Sequence, residues 1–351
     1  MNPEDWVFRG ATPQDLAAFE RMAASSAIGI TTLPANRAAL LDRLERSAQA
    51  FASPDDASGE EIYLFVLEDL QAQRIVGTSG ISASAGFADR FYTYRNEMVV
   101  HASNALAVSN RVHTLHLCHD LTGHTLLTSF YLEPAYEKTL APQLLSRARL
   151  LFISEFAQRF SDRIASESPG LADDTGRCPF WDAVGRRFFS MDYPAAEQLA
   201  GGRNKAFIAE LMPHAPIYVP LLPEAAQWAI GQLHPVAELP FSILLDEGFD
   251  SETYVDIFDG GPTVDARVSM LKTVQRARRS TAGQAQGIHS PGPWQLVSNT
   301  LRGGFRAVLQ ASTSSSDEGT ALCESALQHL QATVGDAVRV AALDLPAQDL
   351  S

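Results

Sequence analysis

The chain has 351 residues and a mass of 38.1 kDa, enough for two domains or for one large domain with an appendage. Hydrophobic residues make up 46% and charged residues 19%, with a formal net charge of -14, which suits a globular chain and weighs against nucleic acid or anionic membrane as partners. Cys118, Cys178 and Cys323 are scattered without a CxxC pair, which weighs against a disulfide framework or a zinc site.

The N-terminal "MNPEDWVFRG" has neither a basic nor an apolar signal region, and no apolar run approaches the ~18 residues of a spanning helix. A cytoplasmic protein is expected. The strand-like "WVFRG" leads into a helix over residues 11–24, with Leu16, Phe19 and Met22 at helical spacing. "SSAIGITTLPAN" is loop chemistry, and residues 37–51 form a second helix with Leu40, Leu41, Leu44, Ala48 and Phe51 on one face. "IYLFVLED" and "RIVGTSGISASAG" predict two strands joined as a hairpin. "HTLHLCHDLTGHTLLTSFYLEP" predicts two more strands around a turn at residues 120–123. A helix over residues 144–160 follows, burying Leu144, Leu145, Ala148, Leu151, Phe152, Phe156 and Phe160.

"PFWDAVGRRFFSMDY" and "FSILLDEGFDSETYVDIFD" each read as helix, glycine cap and aromatic-rich strand, too loosely matched to be a repeat. Residues 275–293, "QRARRSTAGQAQGIHSPGP", are basic, rich in small residues and aperiodic, and are expected to be a linker or exposed loop. This divides the chain into a main domain over 1–274 and a small terminal α/β module over 294–351, built as strand, helix and strand. The fold class is α/β or α+β, a mixed sheet flanked by helices. That layout is compatible with the acyl-CoA-dependent GNAT acyltransferases, although periodicity alone does not separate it from other mixed folds.

No Walker loop, dinucleotide glycine fingerprint, HExxH or GxSxG motif occurs. "LHLCHDLTGH" groups His116, His119, Asp120 and His124. Without ligand spacing, a polar turn accounts for them better than a metal site. His234, in "IGQLHPV", precedes a proline that holds it extended, where it could project into a cleft. Lone histidines are more often structural. "DIFDGGPT" combines two carboxylates with a Gly-Gly-Pro turn, either ordinary turn chemistry or a carboxylate for a cationic substrate. "AELMP" is expected to bury Leu211 and Met212 at a strand end, with Glu210 its polar handle.

The stretch "YLEPAYEKTLAPQLLSRARLLFI" is strand, turn and helix, a common seat for phosphate because helix N-terminal N–H groups point at the anion. Its turn has no glycine, and Pro142 removes a donor. Arg147 and Arg149 lie farther along, either as supporting phosphate contacts or as solvated residues.

"GITTLPAN", "YLFVLED", "LCHDLTG", "LLSRARLLFI", "PFWDAVGRRFFSMDY", "NKAFIAELMPHAPIYVPLLPEAA", "IGQLHP" and "YVDIFDGGPT", in this order, resemble the arginine N-succinyltransferase family from about Thr12 to Val268. The resemblance implies a GNAT-like enzyme of arginine catabolism, passing succinyl from succinyl-CoA to the α-amino group of arginine or ornithine. It makes His234 the catalytic proton donor, and Phe130 a succinyl-CoA contact that Arg147 supports. No metal or permanently bound cofactor is implied. Where active members carry a basic, glycine-bearing turn, this chain has "AYEKTLAP", and "ESPG" keeps Glu167 but puts Pro169 in place of an arginine. "AGFADRFYTYRNEMVVHAS" and "DLTGHTLLTSFY" are closest to the alpha-subunit branch, which implies a hetero-oligomer with a paralogous beta subunit. Two readings stand: a catalytic subunit using His234, or a non-catalytic partner of an active paralogue.

Overall fold

The computed structural model describes residues 2–25, 33–34, 36–54, 57–87, 90–173, 175–200, 210–285, 292–312 and 319–344. Its strands begin with β1 (Trp6–Gly10), β2 (Ile62–Asp69), β3 (Arg74–Ser82), β4 (Thr93–Ser103), β5 (Val108–Cys118), β6 (Thr125–Leu132) and β7 (Arg163–Glu167). They continue with β8 (Ile217–Tyr218), β9 (Asp250–Val255), β10 (Pro262–Arg267), β11 (Arg278–Gln284), β12 (Trp294–Asn299), β13 (Arg306–Ala311), β14 (Thr320–Leu322) and β15 (Ala337–Ala342). These described strands make one sheet in the order β14-β11-β15-β12-β13-β1-β2-β3-β6-β7-β10-β9-β4-β5-β8. It is mixed: β6–β7 and β11–β14 run parallel, and the other neighbours are antiparallel. The architecture is α+β.

Strand β2 needs cover on both faces, because residues 63–67 are all buried. Strand alternation sends Leu64 and Val66 to one side, against Leu16 and Phe19 of α1 (Leu16–Ser25) and Leu40 and Leu44 of α2 (Arg37–Ala52). Tyr63, Phe65 and Leu67 go to the other, against Leu144, Leu145, Leu151 and Phe152 of α3 (Ala141–Glu155). Each such fully buried side chain contributes roughly 1.5–3 kcal/mol. The helix Glu238–Glu247 lies beside α3, and a second core around Tyr94, Phe180, Trp181, Val255 and Phe258 sits under β4, β5 and β9.

The β2–β3 hairpin forms as expected, with Asp69 opposite Arg74. The two strands around residues 120–123 also form, but not with each other: β5 pairs with β4 and β8, while β6 pairs with β3 and β7. "PFWDAVGRRFFSMDY" differs more. It folds as two short helices, α4 (Pro179–Ala183) and α5 (Gly185–Phe189), with no strand. Gly185 is no cap there; it opens α5 and lets the backbone press on the Trp181 ring, where a Cβ would collide. Gly248 is a cap, with φ of 106° after the helix Glu238–Glu247.

Three further expectations change. Residues 278–284, inside the stretch read as a linker, are strand β11, because β15 on one side and β14 on the other supply hydrogen-bond partners that composition does not reveal. The terminal strands continue the main sheet, since β13 pairs with β1 through Phe8 and Ala307. Leu211 is exposed while Met212 is buried, and they follow Glu210 in a helical turn rather than a strand. Residues 204–209, 286–291 and most of "SSAIGITTLPAN" lie outside the described residues.

Candidate active site

Strands β6 and β7 are parallel neighbours whose pairing ends at Leu126↔Ala165. Beyond that point β6 carries a bulge, where the register with β3 slips between Thr78 and Gly80 and buried Ser129 takes a φ of 54°. A non-glycine residue held in that region costs about 1–3 kcal/mol, and such bulges re-aim the side chains that follow. The alternation flips accordingly: Leu127 faces the α3 core, and so does Phe130. Gly80 makes room, because a Cβ there would lie 2.8 Å from Thr128 Oγ1. Phe130 is half-buried at the mouth where the two strands part.

Just past the end of β7, three stretches far apart in sequence meet. His234 N–H donates to the Pro169 carbonyl at 2.8 Å, and Gly231 N–H donates to the Gly260 carbonyl at 2.8 Å. Asp259 Oδ2 accepts from Gly170 N–H and its Oδ1 from Gly261 N–H, both at 2.8 Å. Glycine is required at 261, where a Cβ would fall 2.5 Å from the Gly170 nitrogen. Pro169 lies as far past Ala165 as Phe130 lies past Leu126, so His234 and Phe130 belong to the same end of the two parallel strands. Val236 N–H donates to His234 Nδ1 at 3.3 Å. That bond assigns the proton of the neutral ring to Nε2 and points Nε2 away from the backbone.

The turn after β6 is closed on itself. Glu137 N–H donates to the Pro134 carbonyl at 3.3 Å and Thr139 N–H to the Tyr136 carbonyl at 3.2 Å. Ala141 N–H donates to Thr139 Oγ1 at 3.1 Å, and Pro142 has no donor. Buried Tyr136 anchors the turn through Asp69, at 2.8 Å. The N–H groups of Glu137, Thr139 and Ala141 are thus used by the chain itself.

Neither arginine of α3 is solvated. Arg147 donates from Nε to Gln143 Oε1 at 2.8 Å, from Nη2 to Asp246 Oδ2 at 2.6 Å, and from Nη1 to Glu247. In this geometry the guanidinium ties α3 to the helix Glu238–Glu247. Arg149 lies 5.8 Å over the Phe130 ring and donates from Nε and Nη2 to the carbonyl and hydroxyl of Ser146, at 3.1 and 3.0 Å. The sequence grouped the two arginines as phosphate supports or solvated residues and did not reveal that both are buried. For Arg149, the i, i+3 position with respect to Ser146 was the available signal.

The remaining candidates are structural. Asp120 bonds Arg95 at 2.7 Å and Tyr254 at 3.3 Å, His116 meets Thr114 at 3.0 Å, and His119 stacks on Tyr92. Burial pushes the His124 imidazole toward its neutral form. Among the described residues no group of three or more histidine, cysteine or acidic side chains is placed to hold a metal ion. Asp256 accepts from Phe258 N–H at 2.6 Å, so both carboxylates of "DIFDGGPT" serve the backbone.

Comparison with known proteins bears on the same region. The family model described as "Arginine N-succinyltransferase beta subunit" matches residues 6–273. Arginine N-succinyltransferase subunit alpha of Pseudomonas aeruginosa is 44% identical over 337 residues, which is 96% of this chain and 99% of that protein. Arginine N-succinyltransferase of Yersinia pestis is 40% identical, over 95% of this chain and 96% of that one. Among solved structures, arginine/ornithine succinyltransferase subunit AI from Pseudomonas aeruginosa superposes with a TM-score of 0.88 at 42% identity, covering 97% of this chain and 99% of that one.

Proposed function

The chain belongs to the arginine N-succinyltransferase family, and from that premise we propose how it carries succinyl from succinyl-CoA to the α-amino group of arginine or ornithine. It is an acyltransferase of arginine metabolism. The observation that carries the proposal is the convergence of the 167–170, 230–235 and 256–262 stretches on His234, beside the mouth between β6 and β7. A bulged strand parting from a parallel neighbour, with a helix after it, supports a GNAT-like arrangement. The thioester enters between β6 and β7 against Phe130, and the CoA phosphates extend toward the start of α3.

In this reading the neutral amine attacks the thioester carbonyl, and the C–S bond breaks as the amide forms. His234 passes a proton to the departing sulfur while the attacking amine sheds one, so the transfer is proton-neutral overall. Holding the two substrates together supplies much of the remaining rate, and no covalent intermediate is needed. Mass spectrometry of the products from succinyl-CoA with arginine, and separately with ornithine, tests this. No succinylated product from either, with the paralogous subunit also present, would reject it.

A second reading rests on the closed turn after β6: the chain serves as a partner to an active paralogue and binds CoA weakly by itself. The β4–β5 hairpin supports assembly, because Met98, Val100 and Leu106 are exposed on its outer part, beyond the pairing with β9 and β8. Calorimetry with succinyl-CoA, on the chain alone and with the paralogue, separates the two readings.

A further inference from the structure

Arg147 and Arg149 are both nearly inaccessible, at 5% and 3% exposure, yet their surroundings are opposite. Arg147 has two carboxylates. Arg149 has none among the described residues: it has the Ser146 carbonyl and hydroxyl and the face of Phe130, and its Nη1 makes no hydrogen bond there. A guanidinium stays charged, and a buried charge without a counter-charge is costly to keep. Burial alone pushes Arg149 down to about 9, with no neighbouring charge acting on it. A fold that needed only to fill this space would be better served by an apolar side chain.

We infer that Arg149 receives the free carboxylate of the acyl group and thereby selects succinyl-CoA over acyl-CoAs that end in a methyl. The inference rests on the reading above, in which the thioester lies against Phe130. Arg149 shares that ring, so its unused donors flank the acyl end of the mouth. It stands two turns past the start of α3, about 12 Å along the axis, so the CoA phosphates at the helix start are poor candidates for its partner. A planar guanidinium pairs with a carboxylate through two parallel hydrogen bonds. Butyryl-CoA has nearly the same shape but would leave Arg149 buried and unpaired, and sites of this kind reject such analogues.

The test compares succinyl-CoA with butyryl-CoA on wild type and Arg149→Met, in the presence of the paralogous subunit. Binding is read by calorimetry, transfer by kcat/KM, and unfolding of the unliganded chain by its Tm. The expected result is a fall in the succinyl-to-butyryl preference on the order of 10–100-fold, with an unliganded Tm equal to or above wild type. Arg149→Lys should restore part of the preference. Equal weakening of both acyl-CoAs would assign Arg149 to a CoA phosphate, and a raised KM for arginine with unchanged preference would assign it to the amino acid's carboxylate. Either overturns the inference, as does a lowered Tm with unchanged preference, which marks a purely structural arginine. If wild type transfers neither acyl group, the functional reading fails first and the inference falls with it.

Discussion

The turn at the start of α3 and the loop junction that carries His234 are both built from backbone hydrogen bonds, and they differ in where those bonds lead. In the turn, donors from Glu137, Thr139 and Ala141 are returned to residues within the same few positions. At the junction, the bonds run between segments far apart in sequence: His234 to Pro169, Gly231 to Gly260, and Asp259 to Gly170 and Gly261. A locally satisfied turn has little left for a ligand. A cross-braced junction fixes the backbone that carries His234 and leaves its Nε2 without a hydrogen bond among the described residues. The contrast is between a turn that spends its donors on itself and a junction that fixes the backbone carrying His234.

The largest expected effect comes from removing what the junction holds. His234→Ala should lower turnover by ~10²–10⁴-fold with an unchanged circular dichroism spectrum and Tm. An undiminished rate in product assays would make the bracing purely structural. Gly261→Ala attacks the bracing itself. The added methyl must displace Gly170 or the Ser168 carbonyl, and overpacking of this kind costs about 1–3 kcal/mol. Denaturant unfolding should register that loss together with a lower rate; full stability would mean the loops move apart freely.

Opening the turn should have the opposite sign. Replacing residues 137–142 with a glycine-rich sequence frees N–H groups at the helix start and should raise CoA affinity a few-fold to about tenfold, the range expected for an anion at a helix N-terminus. If the unaltered chain alone already binds succinyl-CoA at about micromolar strength by calorimetry, the turn uses another geometry and the contrast fails. The smallest effect is a control on packing around the junction. Burial raises the Cys118 thiol and pushes Cys178 up to about 12. At pH 8 both remain thiols, so iodoacetamide should label native protein at the more accessible Cys323 and label all three after unfolding. Rapid native labelling of Cys178, which packs beside Asp259, would show that the junction opens.

Much of the local structure was legible because one face of an element is enough to betray it. The 3.6-residue spacing from Leu144 to Phe152 specified α3, the unbroken apolar run in "IYLFVLED" specified a doubly covered strand, and Gly248 marked a true helix end. Motif order by itself also determined the family, and "GQLHP" singled out His234 as the histidine to test. What periodicity does not carry is the identity of the partner across a contact. Pairing of β5 and β6 with other strands, the recruitment of residues 278–284 into the sheet, and the packing role of Gly185 against Trp181 each depend on groups distant in the chain. The two arginines of α3 make the same point at the site. On a sequence they are one basic pair on a helix; only tertiary packing gives Arg147 its two carboxylates and leaves Arg149 with an aromatic ring, because a charge's role is set by what the fold places beside it.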